Sequence, residues 1–347
     1  MSANQLLAQA RTVLLGSLSM RQGDEILIVW DETVSADLVE ALRCAAILAD
    51  IRPYLFVYSP LQYRPMAEYG LFAGASLLPG GPVMPHALEL ALRSCPVVAL
   101  VTSDMEMMSM FSPAFREILA GGTRVAALSY LTTEAAIRLL PDGLEEVASL
   151  SELTNRGAAL LAGGRDVRVT SPAGTDITLR VGQYGGRSSD GVIAPGQRQL
   201  LPAGQVTRVP NDGTANGTLV VDRSIAANDF RPLRDSVTFT VEDGYVTKIE
   251  GALEAANLRH WLASQDNHEI YHVTELAFGT NSRCRQTGVA APCEDTHTAG
   301  CVSFALGADV HIGGRTRAPA HIDMTMRQAT LELDGMALVK DGTLNYM

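Results

Sequence analysis

Two hydrophobic rhythms follow one another along the chain, and few folds satisfy both. In the first half, short continuous apolar runs alternate with amphipathic stretches: EILIVW (25–30), a helical VSADLVEALRCAAILAD (34–50), then RPYLFVYS (52–59). A second round follows, with helical residues 86–94, PVVALVT (96–102), SPAFREILAGG (112–122) stopped by its glycines, and TRVAAL (123–128). Strands that are apolar on both faces and joined through helices pack as a parallel sheet covered on both sides. A helical stretch over 132–163 ends at Gly163 and Gly164, where a boundary is expected. Beyond it the period drops to two. DVRVTSP, TDITLRVG, GTLVVD, DSVTFTVEDG and GYVTKIEG read as short strands separated by Gly, Asp and Pro turns. One helix near 252–264 interrupts them before YHVTELAFG, CVSFALG, ATLELDG and MALVKDG. The expected organisation is an α/β, Rossmann-like N-terminal domain with a parallel sheet over 1–163, and an α+β C-terminal domain rich in antiparallel strands over 164–347.

Composition supports two cores and narrows the partners. A chain of 347 residues with 47% hydrophobic and 19% charged residues can bury both domains. Its 27 basic and 38 acidic residues leave a formal charge of -11, which repels phosphate backbones and anionic lipid head groups, so no nucleic acid and no membrane is expected as a partner. No apolar run approaches the roughly 18 residues of a membrane span. The opening MSANQLLAQARTVLLGSLSMRQGDE lacks the charged start and continuous apolar core of an export signal, and the expected location is cytoplasmic. Five cysteines, an odd number, suggest reduced thiols. Cys293, His297 and Cys301 fall four apart, a spacing that could hold zinc on a helix face. Thr296, Thr298, Ala299 and Gly300 disfavour that helix, so plain thiols are the expectation. The glycine-rich GLFAGASLLPGGP (70–82) lacks GxGxxG and GxxxxGK[ST] and reads as a connecting loop.

A strand delivers residues i and i+2 to one side, so His321 and Asp323 in APAHIDMTM present an imidazole and a carboxylate together. A surface His-x-Asp would look the same. The wider context adds more. TELAFGTN (274–281), EDTHTAGCVSFALG (294–307), GGRTRAPAHIDMTM (313–326) and TLELDGMALVKDG (330–342) resemble the metal-binding half of the aminopeptidase T metallopeptidase family. LPAGQVTRVPNDGTANGTLVVD (201–222) is similar to its segment containing Pro-x-Gly-Glu, and SPAFREILAGGTRVAALSYLTTEAAIRLL (112–140) to its last N-terminal strand and flanking helices.

That resemblance implies Glu275, His321 and Asp323 as retained metal ligands in a catalytic C-terminal domain. It also shows losses: Gln205 stands where the peptidases have a bridging glutamate and Ser303 where they have a ligating histidine, and no tyrosine stands near Val310. An amide and a hydroxyl in those places supply neither charge nor donor strength for a second divalent ion. The 2,5-dihydroxypyridine 5,6-dioxygenase branch of the superfamily holds a single ferrous ion with two histidines and an aspartate. GGRTRAPAHIDMTMRQATLELDG resembles that branch at Pro319, His321, Asp323, Met326 and Arg327, whereas Glu275 replaces its first histidine and Phe111 an acid-base histidine. The implied cofactor is one divalent metal, Fe(II) favoured with Zn or Mn as alternatives, and the implied partner is a small-molecule substrate of a homo-oligomeric enzyme.

The leading expectation is a mononuclear, ferrous, ring-cleaving dioxygenase acting on a small hydroxylated N-heteroaromatic compound. The alternative is a metal-dependent hydrolase of a small amide or peptide, and a third reading is a non-catalytic protein that has lost its site. His297 and Ser303 are the candidate catalytic side chains, His297 by analogy with a peptidase lysine position. His268 and His272 are expected to be structural or superficial, and His311, Arg315 and Arg317 are candidates for binding an acidic substrate.

Overall fold

The computed structural model of the protein describes residues 2–32, 34–59, 84–102, 109, 112–129, 131–226, 233–287 and 294–346. The glycine-rich stretch 70–82, Phe111 and Cys293 lie outside the described residues.

In chain order the first elements are α1 (Ser2–Thr12), β1 (Glu25–Asp31), α2 (Ala36–Leu48), β2 (Arg52–Tyr58), α3 (His86–Arg93), β3 (Val97–Val101), α4 (Pro113–Ala120), β4 (Arg124–Ala127), α5 (Thr133–Leu139) and α6 (Leu144–Gly163). Short strands follow: β5 (Asp166–Thr170), β6 (Asp176–Arg180), β7 (Gly186–Ser189), β8 (Arg198–Leu200), β9 (Gln205–Arg208), β10 (Asn216–Val221), β11 (Ser224–Ile225), β12 (Val237–Glu242) and β13 (Tyr245–Gly251). The chain closes with α7 (Leu253–Ser264), β14 (Val273–Gly279), α8 (Glu294–His297), β15 (Val302–Gly307), β16 (His321–Met326), β17 (Thr330–Leu333), β18 (Met336–Lys340) and β19 (Thr343–Leu344).

Described residues up to Glu152, with Ser189–Ala203, form one compact unit; Leu153–Ser188 and the described residues from Gly204 onward form the other. In the first unit β2-β1-β3-β4-β8 make one sheet, and every pairing in it is parallel. The expected parallel sheet is therefore present, and it has a member the sequence did not suggest: β8 joins its edge beside β4, with Val125 opposite Arg198. Leu27, Val29, Val98, Leu100 and Val125 from the strands close a core with Leu88, Phe115 and Ile118 from the helices. The Ser35 hydroxyl accepts from the Leu38 N–H at 3.2 Å and Thr132 from the Ala135 N–H at 3.1 Å, so α2 and α5 each begin on a capping side chain. The expected single helical stretch over 132–163 is two helices. Pro141 brings no N–H to continue the first, and Gly143 turns the chain at φ 128 before α6 begins.

The second unit holds two antiparallel sheets, β13-β12-β10-β6-β5-β17-β18-β19 and β11-β16-β15-β14-β9-β7. The six-stranded sheet positions the chemistry. Its three central strands are buried almost throughout, but their faces differ in kind. Leu276, Phe278, Val302, Phe304, Leu306, Ile322, Met324 and Met326 fill one face and are at most 1% exposed. Alternation puts Glu275, Ala277, Ser303, Ala305, His321, Asp323 and Thr325 on the other. Cross-strand pairing aligns them in rows: Glu275 opposite Ala305 opposite Asp323, and Ala277 opposite Ser303 opposite Thr325. The apolar face anchors this arrangement. Removing the fully buried ring of Phe304 by Phe304→Ala should cost about 3–5 kcal/mol, read as a lowered midpoint in urea denaturation. No helix among the described residues is long and apolar enough to cross a membrane.

Candidate metal centre

The polar face of the six-stranded sheet would be costly to bury without a purpose, because charged groups removed from water must be compensated. His321 opens β16 at one end of this face, opposite Gly307. Its Nδ1 is 2.7 Å from the carbonyl oxygen of Ala308, which only accepts, so Nδ1 carries a proton and Nε2 is the nitrogen turned to the site. That Nε2 stands 3.3 Å from Glu275 Oε2 and 3.4 Å from Asp323 Oδ1, with the side chains of His321 and Glu275 only 3% and 5% exposed. Two carboxylates from β14 and β16 thus converge on one imidazole nitrogen across the intervening methyl of Ala305.

The electrostatics express the same crowding. Burial pushes the Glu275 carboxyl above its ordinary range and the Asp323 charge adds to this, while His321 and the nearby Arg187 pull the other way. Burial would lower His321, but its bonds to Asp323 and Glu275 outweigh that and raise it. The cluster therefore calls for a positive charge among its oxygens. A proton on the imidazole supplies one, and a divalent cation bound to the same atoms would supply more.

The arrangement also contains a residue the sequence analysis assigned elsewhere. Glu275, His311 and His321 each offer a ligand atom, and these atoms lie within 4.8 Å of one another. The His311 and His321 rings meet edge to face, centroids 4.7 Å apart at 87°. His311 is half-buried on the short 3-10 turn Val310–Ile312, whereas Arg315 and Arg317 beyond it are exposed. Arg315 lies over the Tyr184 ring at 5.6 Å. No strand periodicity leads to a residue on such a turn, so spacing alone could not group His311 with the triad.

The other expected residues are spread over the same domain. Ser303 is on the triad's face, one row away, and its buried Oγ has no hydrogen-bond partner among the described residues. His297 is buried on α8, with its carbonyl accepting from the Asn281 N–H at 2.9 Å, but it is not in the group that converges on Glu275. Gln205 is half-buried opposite Gly279 at the far end of β14. His268 and His272 stack on the two sides of Tyr245, at 4.7 Å and 4.6 Å. Cys301 takes a hydrogen bond from Gln286 Nε2 at 2.8 Å, and burial raises its thiol far above the usual range, so it offers no thiolate. Among the described residues, no cysteine joins a metal-binding group.

A cleft of about 880 Å³ lies elsewhere, along the eight-stranded sheet, lined among others by Asp166, Arg168, Arg180 and Asn216. Its arginines pair with its own strands' carboxylates, Arg168 with Asp176 at 2.9 Å and Arg180 with Asp166 at 3.6 Å. Such exposed, self-neutralised walls offer little to a ligand.

The donor set of imidazole and carboxylate without thiolate suits a first-row divalent ion such as iron, manganese or zinc. Comparison with known proteins adds to the geometry. A 2,5-dihydroxypyridine 5,6-dioxygenase of Pseudomonas putida KT2440 is 28% identical over 319 residues, covering 89% of this chain and 86% of its own. The solved structure of a 2,5-dihydroxypyridine dioxygenase from the same strain has a TM-score of 0.83 at 24% identity, covering 100% of this chain and 99% of its own. AmpT from Thermus thermophilus follows with 0.66 at 14% identity, covering 98% and 99%. At these identities the two structures speak to the fold, and both carry it end to end. The sequence profile of one family spans residues 6–346, and the chain accordingly belongs to the NicX family, 2,5-dihydroxypyridine 5,6-dioxygenase.

Proposed function

We propose that the chain is a mononuclear, metal-dependent, ring-cleaving dioxygenase acting on a small hydroxylated N-heteroaromatic compound, with Fe(II) as its metal and Glu275, His321 and Asp323 among its ligands. The convergence of Glu275 and Asp323 on the outward-facing nitrogen of His321 carries this reading, supported by the family to which the chain belongs. When bound there, Fe(II) would supply adjacent open positions for a hydroxylated ring and for O2. The protein's part is placement. The Ala308 carbonyl fixes the tautomer and direction of His321, and the sheet fixes the spacing of the two carboxylates. Ala277, Ser303 and Ala305 keep side chains short on the same face, which leaves room for a flat substrate. We further propose that Ser303, whose buried hydroxyl has no partner among the described residues, hydrogen-bonds the bound substrate, and that His297 handles a proton from α8. On this reading the residues from 164 to 347 carry the chemistry.

The test is oxygen stoichiometry. Fe(II)-loaded protein, screened against dihydroxypyridines and related hydroxylated N-heterocycles, should take up O2 in step with loss of the ring's ultraviolet absorbance, and should be inert under nitrogen. Ring loss at full rate without oxygen, or best with Zn(II), would replace the dioxygenase by the hydrolase reading, in which metal-bound water is the reactant.

A further inference from the structure

We propose that His311 is also a ligand of this metal, so that a second imidazole reaches the ion from a loop instead of from the sheet. The inference rests on the metal-dependent reading above and adds a residue to it. Its ground is geometric. Ligands that share an ion at about 2.1 Å lie roughly 3 to 4 Å from one another. Glu275, His311 and His321 already hold their ligand atoms within 4.8 Å, so a small side-chain rotation completes the set. Two imidazoles bound at right angles to a common ion at about 2.1 Å have centroids about 4.5 Å apart. The His311 and His321 ring centroids stand 4.7 Å apart.

The loop that carries His311 is tied down on all sides, as a ligand-bearing loop requires. The Asp309 carboxylate accepts from the Thr316 N–H at 2.6 Å, and the Asp309 N–H donates to the Thr316 carbonyl at 3.2 Å. The Ile312 and Gly314 N–H groups donate to the Asp309 carbonyl at 3.0 and 3.1 Å. A Cβ at Gly314 would lie 2.1 Å from the Asp309 carboxyl carbon, so a side chain there would push the Asp309 carboxylate off the Thr316 N–H. Thr316 Oγ1 then meets His272 Nδ1 at 2.9 Å, and the His272 ring is stacked on Tyr245. His311 therefore stands on a braced turn. With Glu275, His321 and Asp323 it makes a set of two imidazoles and two carboxylates, which leaves two positions of a six-coordinate Fe(II) open.

The experiment is anaerobic titration with Co(II) and with Fe(II) in wild type, His311→Ala and His311→Gln, with metal counted after desalting and fold checked by circular dichroism. Cu(II)-loaded samples give a second readout, since electron spin-echo modulation counts bound imidazoles. Wild type is expected to show two imidazoles and each variant one. Loss of a direct ligand should weaken binding at least by the roughly 10- to 100-fold that loss of an outer-shell partner causes. Free imidazole should restore part of the affinity in the alanine variant, whose smaller side chain leaves space. Unchanged affinity and unchanged imidazole count in both variants would overturn the assignment of His311 while leaving the triad standing. Wild type that takes up neither Co(II) nor Fe(II) would overturn the metal reading itself, and this one with it.

Discussion

His321→Ala is expected to abolish metal binding: anaerobically purified protein should fall from about one divalent ion per chain to almost none, and ring-opening activity should fall to background. The side chain is 3% exposed, and its Nδ1 is committed to the Ala308 carbonyl, so Nε2 is the atom on which Glu275 and Asp323 converge. Alanine leaves two carboxylates facing each other with no imidazole between them. Glu275, already raised by burial, then gains more from a proton than from sharing a weakly held ion. The fold should persist, because the loss to the backbone is one hydrogen bond, about 1–2 kcal/mol. Elemental analysis beside circular dichroism separates the two effects. Full metal content in a well-folded variant would remove His321 from the ligand set.

Gly307→Ala is expected to cost about 3–5 kcal/mol and to disturb the site together with the fold. Gly307 closes β15 at φ 94, a left-handed conformation that side chains resist. It also pairs with His321, and a Cβ there would lie 2.1 Å from the Ala320 carbonyl oxygen. That obstacle is backbone, so no rotamer relieves it; β15 and β16 must separate where His321 begins its strand. Gly335→Ala is the control, with φ 82 but nothing within 4 Å of the added carbon, and it should cost about 1 kcal/mol. Urea denaturation of both variants, with metal content measured on the folded fraction, gives the comparison. Equal losses in the two would show that the contact with Ala320 is relieved elsewhere.

Much of this architecture was legible in the residues themselves. EILIVW and PVVALVT are apolar on both faces and belong to a parallel sheet, whereas DITLR and VTFTVE alternate and belong to antiparallel ones. What escaped was non-local. Arg198–Leu200 is three residues long, too short for any periodicity, and only its pairing with β4 makes it a strand of the first sheet. At the site, the His-x-Asp of β16 was visible because strand geometry puts both residues on one face, and Glu275 was visible through resemblance. His311 was grouped with Arg315 and Arg317 as a candidate for binding an acidic substrate. It parts from them because Asp309 turns the backbone through Gly313 at φ 100, a fold-back that hydrophobic patterning does not record.

Ala305 has a further consequence. It is the single residue between Glu275 and Asp323 in their cross-strand row, so the two carboxylates stand two strand spacings apart, about 9.5 Å between backbones. That width belongs to the hydrogen-bond ladder, and no change in a loop can widen or narrow it. Loops can only decide what else arrives in the gap. A fold built this way keeps a constant gauge while its remaining donors are exchanged. This is a physical route by which the fold, which AmpT shares end to end, can accept other donors without its sheet being rebuilt.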